Sequence, residues 1–360
     1  MSGPPLIPPE ADAAGPPGAE GRATGGPAAA PPPSPDFSGA HEAFAPEAGD
    51  QGGAPDLSAQ ALAARLPSVS FGDRAFLLSS RRAAFAFALD LVRRRQRTAG
   101  RAKRSRLLVC ARAASPAAVP DGLDGDVEIL RIDDPDAVEA QITPRVAGFL
   151  IAPLRAEEGL EAVSGDLLAS LRQACDDYGL ALVFDESFCG LGRSGMMWAY
   201  EWTGATPDIL VCGEGLAGPH ELATVIATQK FAQNAAAPAF EPTPEALACA
   251  HAKLDALLSP GFLEHVQNRS WRLEDQLALI ARRRPDLFRG VRGLGLTQGL
   301  LCAGPARPLA ERLLERGLAT RSEGDVLGLI APLRVEDDVI DAAAALIASA
   351  FPIGFDPWAA

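Results

Sequence analysis

Apolar residues recur along this chain in two rhythms that take turns. From Asp56, the stretch DLSAQALAARL sets Leu57, Ala61 and Ala64 at helical spacing, with Leu62 and Leu66 alongside and an Asp or Ser cap in front. A second helical pattern runs over 82–95. Short apolar runs then follow at 107–111, 127–132, 146–152, 181–184 and 209–212, with a helical pattern over 167–178 among them and a further run over 222–228. Runs that are apolar on both faces and alternate with helices predict a mostly parallel sheet covered by helices. Helical spacing returns over 245–258 and 262–284. After it come a Gly-punctuated strand pair, VRGLGLTQGLLC, and a helix, a strand and a helix ending near Phe351. The expected class is α/β, with a large domain over 56–290, a small C-terminal α+β domain over 291–351 and a short tail over 352–360. No internal repeat is evident.

Composition changes the picture mainly at the N-terminus. Residues 1–55 are rich in Pro, Gly and Ala, as in PPGAEGRATGGPAAAPPPSP, and lack any amphipathic pattern. Such a segment buries too little apolar surface to offset its ordering entropy, so a disordered low-complexity tail is expected. Across the 360 residues, 48% are hydrophobic and 22% charged, as in globular domains. The net charge of −13 disfavours nonspecific nucleic-acid binding. The basic run over 93–106 lies across a helix end and the turn before a strand, and no aromatic residues interleave it. It reads as a solvated helix terminus. No apolar run reaches about 18 residues and the start carries no signal-like core, so no membrane segment is expected. Six cysteines without CxxC or metal-like spacing point to a reducing compartment, a cytoplasmic location and no metal site.

Candidate chemistry concentrates between Ala181 and Gly218. An apolar strand ending in Asp185 and Glu186 places two acids at the carboxyl edge of a parallel sheet, where α/β folds keep their ligand sites. Gly190, Gly192 and Gly195 match no nucleotide-binding spacing and read as turns. His220 has no Ser, Cys or carboxylate motif around it and reads as a loop histidine.

The segment FDESFCGLGRSGMMWAYEWTGATPDIL, with the glycines after position 214, resembles the class III aminotransferases. It is nearest their acetylornithine aminotransferase branch, which reads FDEVQCGxGRTG, FAYE and PDI here. The blocks LRQACDDYGLALVFDE, VRGLGLTQGLLC and LLERGLATRSEGDVLGLIAPLRVEDDVID extend the likeness over roughly Asp56 to Phe351. Cys189 matches a cysteine common in that branch and needs no redox role. The resemblance implies a fold type I architecture, pyridoxal phosphate as cofactor, and a homodimer with its site at the interface. It places Asp185 at the pyridine nitrogen, which it would keep protonated so that the ring serves as an electron sink.

Other family positions are altered. The Schiff-base lysine of the family's AKG falls on Glu214 in Gly213, Glu214, Gly215, and a carboxylate forms no imine. The only lysines are Lys103, Lys230 and Lys253, of which the first lies in the basic run and the others on expected helical or strand-end surface. The small-residue phosphate cup becomes Ser80, Arg81 and Arg82. The two ring-contact positions after the FDE motif become Ser187 and Phe188. The stacking aromatic becomes Ala114, and the arginine that receives a substrate carboxylate becomes Gly328.

Two readings follow. In one, the chain is a catalytically inactive acetylornithine aminotransferase-like protein with no cofactor expected. It then acts by metabolite binding or by association, as a homodimer or as a heterodimer with an active paralogue. Arg81 and Arg82 would then turn into the vacated phosphate site and pair with Asp185 or Glu214. In the other, it is an active aminotransferase of arginine- or ornithine-type metabolism that holds pyridoxal phosphate noncovalently, or an enzyme with new chemistry around Glu214.

Overall fold

The structure, a computed structural model, describes residues 36–39, 42, 44–45, 56–111, 120–121, 123, 127–213, 215–355 and 357–358. Glu214, Ala114 and most of the low-complexity segment lie outside them. Helix α1 (Ala59–Ser68) starts at Ser58, whose side chain accepts from the Ala61 amide, and leads through β1 (Arg74–Leu78) into the 18-residue α2 (Arg81–Thr98). Then come β2 (Arg106–Ala111), β3 (Val127–Arg131), β4 (Val146–Ile151), the small hairpin β5 (Leu154–Arg155) and β6 (Glu161–Ala162), α3 (Gly165–Tyr178) and β7 (Ala181–Asp185). The short α4 (Tyr200–Thr203), β8 (Ile209–Cys212), β9 (Ala223–Ala227) and α5 (Gln229–Ala232) precede the long pair α6 (Pro244–Leu258) and α7 (Phe262–Arg283). The chain closes with β10 (Phe288–Leu294), β11 (Thr297–Cys302), α8 (Arg307–Glu315), β12 (Arg321–Glu323), β13 (Val326–Ile330) and α9 (Asp337–Ala350).

Seven strands form the main sheet in the order β1-β9-β8-β7-β4-β2-β3. The five from β8 to β3 are parallel, and β9 runs against its neighbours. Alternate residues of each central strand face two different cores. Leu107, Val109, Val183 and Val211 pack toward α2, while Leu108, Phe149, Leu182 and Phe184 pack toward α3. This double burial explains why the strands read as unbroken apolar runs. Sequence reading missed β1, an alternating edge strand, and the two-residue strands β5 and β6. The C-terminal block is a four-stranded antiparallel sheet, β10-β11-β13-β12, that begins at Phe288, slightly before the expected boundary.

Composition placed residues 36–45 in the tail, yet Phe37 and Phe44 are buried in the main core. Asp36 and Ser38 make single bridges to Ala319 and Ile330, and Glu42 accepts from the amides of Leu333 and Arg334 at 2.6 and 3.4 Å. Two aromatic anchors and a chelating carboxylate hold the described residues of this stretch. Among the described residues, no helix is long and apolar enough to cross a membrane, no cluster suits a metal ion, and the six cysteines are free.

Candidate functional site

The site is built where β7 and β8 end beside the start of α2. Asp185, the last residue of β7, is buried. Its Oδ1 accepts from the Ser187 amide at 3.0 Å and from Ser187 Oγ at 2.6 Å. Ser187 Oγ accepts in turn from the Gly213 amide at 2.9 Å, which ties the ends of the two strands together. Asp185 Oδ2 accepts from Arg81 Nη2 at 2.9 Å, and Arg81 Nη1 reaches Glu157 at 3.1 Å. Burial works against the Arg81 charge, but Asp185 and Glu157 more than offset it, so its pKa is raised.

Arg81 reaches Asp185 because it opens α2 and because position 213 has no side chain. A Cβ added at Gly213 would come within 2.3 Å of Arg81 Cγ. Phe188 extends the stack, with its ring centroid 5.6 Å from the Arg81 guanidinium carbon and 5.5 Å from that of Arg321. Ser80 caps α2 through the Ala83 amide at 3.2 Å. Arg82 is exposed, and of the pairing expected for Arg81 and Arg82 with Asp185 or Glu214 the described residues show Arg81 on Asp185. A cavity of about 260 Å³ lies at this helix start, lined by Ser80, Arg81, Gly213, Gly218 and the exposed loop residue His220.

The neighbouring Glu186 is fully buried, and burial pushes its pKa up to about 8 against the amides of Ala199 and Tyr200, which donate to it at 2.6 and 2.8 Å. It fastens the loop before α4 and is a structural acid. The Cys189 thiol is buried and pushed well above its usual pKa, which leaves it unreactive.

The lysines correct one expectation. Lys103 is exposed, and Lys230 stays half-exposed 3.7 Å from Asp208. Lys253, however, is only 4% exposed. It sits on α6, which is buried almost all round, and its Nζ donates to the Gly215 carbonyl at 2.5 Å while lying 5.4 Å from the centre of the Phe44 ring. It lines a cavity of about 200 Å³ shared with Ser187, Phe188, Arg193, Arg321 and Glu42. Burial and then the like charge of Arg193 push the Lys253 pKa down to about 8. Arg193 donates to the Ala331 carbonyl at 2.7 Å, and burial lowers its pKa too. Arg321 pairs in register with Gly328, the residue expected at the family's substrate-arginine position, and so brings a guanidinium beside it. Glu42, Arg193 and Arg321 were not singled out in the sequence, and Lys253 was expected on the surface. The one legible signal was a lysine within the otherwise small and apolar run ACAHAKL of a helix.

The residues present do not fit pyridoxal phosphate as the resemblance would seat it. Both oxygens of Asp185 are engaged, the carboxylate faces a guanidinium, the Arg81 shaft lies on Gly213, and position 214 is a glutamate.

Comparison with known proteins places this arrangement. The family described as Aminotransferase class-III matches residues 117–351. The chain is 35% identical to the acetylornithine aminotransferase of Mesorhizobium japonicum over 295 residues, covering 77% of this chain and 74% of that protein. With that of Brucella melitensis it shares 32% identity over 291 residues, 76% and 72% of the two chains. Among solved structures, N-acetylornithine aminotransferase from Stenotrophomonas maltophilia superposes with a TM-score of 0.72 at 24% identity, covering 86% of this chain and 81% of that one. An amine transaminase from an uncultivated Pseudomonas species, in its PLP-bound internal aldimine form, gives a TM-score of 0.71 at 21% identity, covering 85% and 83%. The fold is therefore type I, a mostly parallel sheet flanked by helices with a small antiparallel C-terminal sheet.

Proposed function

The chain belongs to the class III aminotransferase family, and from that premise we propose that it is an acetylornithine aminotransferase-like protein whose cleft now binds a small metabolite in place of running lysine-based transamination. Class III aminotransferases use pyridoxal phosphate. The observation that carries the proposal is the Arg81–Asp185 pair seated on Gly213. A cation bonded to this carboxylate supplies the charge that a protonated ring nitrogen would otherwise supply, so the acid is already compensated. Glu214 at the lysine position supports the same reading. Self-association as a dimer is part of the proposal, and light scattering on the purified chain tests it.

A second reading is favoured by one specific finding, the 35% identity to a named acetylornithine aminotransferase across three-quarters of its length. It makes the chain an active aminotransferase of arginine- or ornithine-type metabolism that binds pyridoxal phosphate noncovalently. One experiment separates the two. Purified protein is titrated with pyridoxal phosphate by absorbance and then assayed with N-acetylornithine and 2-oxoglutarate. No saturable binding and no turnover are expected for the wild type. Saturable binding with turnover would establish the second reading.

A further inference from the structure

We propose that Lys253 is an amine nucleophile that captures a small 2-oxo acid as an imine within the cavity it shares with Arg193 and Arg321. The inference goes beyond the proposed function, since it needs neither pyridoxal phosphate nor its absence.

Three observations carry it. The first is placement. Lys253 Nζ bonds the Gly215 carbonyl, one residue from the position of the family's Schiff-base lysine, yet it comes from α6, 38 residues further along the chain. The amine thus reaches the same cleft by another route. The second is that its burial is only partly compensated. A buried ammonium is costly unless a carboxylate pairs with it, and among the described residues no salt bridge reaches Lys253, on which Glu42 acts through its charge alone. Its neighbours are a carbonyl, the Phe44 ring, Arg193, Glu42, Cys212 and Cys249. The third is the charge of the cavity. Among the described lining residues, Lys253, Arg193 and Arg321 face one carboxylate, Glu42, whose two oxygens already accept from backbone amides. An entering carboxylate would meet an excess of positive charge. Arg321 stacks on Phe188 and has no acidic partner among the described residues, so its guanidinium is placed to receive one.

The step balances without a redox partner. The neutral amine adds its lone pair to the carbonyl carbon, protons pass from nitrogen to oxygen, the oxygen leaves as water, and a carbon–nitrogen double bond remains. A pKa pushed down to about 8 leaves on the order of a few hundred-fold more neutral amine at pH 7 than an ordinary lysine has. The desolvated, cation-flanked setting is the one that activates lysines for this chemistry.

The test uses the full chain with glyoxylate as the probe and borohydride to fix the imine, followed by intact mass and peptide mapping of the three lysines. The expected result is one carboxymethyl group per chain, on Lys253, formed on the order of tenfold or more faster than on Lys103 or Lys230 at pH 7. Propionaldehyde, which lacks the carboxylate, should label Lys253 on the order of tenfold more slowly than glyoxylate. Lys253→Met should lose the adduct. Should that variant fail to fold, the ranking of the three lysines within the wild type still decides. Equal labelling of the three lysines, or propionaldehyde matching glyoxylate at Lys253, would overturn the proposal. A parallel arm with pyridoxal phosphate, N-acetylornithine and 2-oxoglutarate, read by turnover, reports on the proposed function whether or not Lys253 is labelled.

Discussion

Glu186 is a carboxyl group with no solvent contact, held by two backbone amides and facing the negative charges of Glu201 and Asp185. Burial outweighs the amides and lifts its pKa from 4.5 to about 8. Between those two values the folded chain holds a proton that the unfolded chain has released, so folding stability falls as pH rises through that window and levels off above it. Over the full window the loss is on the order of a few kcal/mol. Glu186→Gln removes the titration but keeps a carbonyl to accept one of the amides. Urea unfolding of both proteins at pH 5.5 and 8.5 is the check. The wild type should lose stability between the two, and the variant should lose much less. Parallel behaviour of the two proteins would mean that Glu186 keeps an ordinary pKa. Lys253 has the opposite sign. Its lowered folded pKa means that neutral pH carries the full cost of burying the charge, and stability rises between about 8 and 10.5.

Among elements, the junction of α2 with β8 decides what the cleft holds. Arg81 lies at the first turn of α2, Gly213 directly follows β8, and the two are coupled through space. Gly213→Ala would drive a methyl into the Arg81 shaft, whose displacement strips Asp185 of its partner. Arg81→Ala alone removes the same partner from a buried acid. Because Arg81 is partly exposed, each change should cost about 2–3 kcal/mol, below the range for fully buried pairs. In the Arg81→Ala background, Gly213→Ala meets no shaft and should cost about 0.5 kcal/mol or less, so the double-mutant cycle should show coupling of about 2 kcal/mol. Additive penalties in urea unfolding would show that the two residues do not compete for one space. Much of this junction was legible in sequence. The apolar runs marked β7 and β8 because both faces of the strands are buried, and their acidic and glycine ends marked the sheet edge. Arg81 and Arg82 were expected to pair with Asp185 or Glu214, and Arg81 meets Asp185. Lys253 and Arg321 were hidden for a different reason. Their placement depends on which helix reaches Gly215 and on the strand register that sets Arg321 against Gly328, and neither follows from spacing along the chain. Edge strand β1 escaped because five alternating residues give a weaker signal than a buried run.

At the scale of the whole molecule, the segment around Phe37 and Phe44 joins parts of the chain that are far apart in sequence. Phe37 donates its amide to the Ala319 carbonyl, and its own carbonyl accepts from the Ile330 amide, which fixes it to the small sheet. Phe44 donates its amide to Cys249 Sγ on α6, and its ring lies 4.4 Å from the Arg334 guanidinium carbon and 5.4 Å from Lys253 Nζ. One ring thus contacts the two long-range cations while Glu42, two residues earlier, holds the backbone before α9. Phe44→Ala should therefore act at two distances. It removes a buried aromatic side chain, a loss of about 3–5 kcal/mol where the site does not collapse. It also removes the ring beside Lys253 Nζ and lets water nearer, which relieves the desolvation that depresses the amine and moves its pKa back toward 10.5. Phe37→Ala removes a ring of similar burial on a residue anchored to Ala319 and Ile330, so it controls for stability alone. The pH dependence of glyoxylate labelling at Lys253, measured in all three proteins below their melting temperatures, distinguishes the effects. The midpoint should lie near 8 in the wild type and in Phe37→Ala and should rise in Phe44→Ala. A midpoint unmoved by Phe44→Ala would assign the depression to Arg193 and the α6 packing instead, and would reduce the N-terminal segment to a purely structural brace.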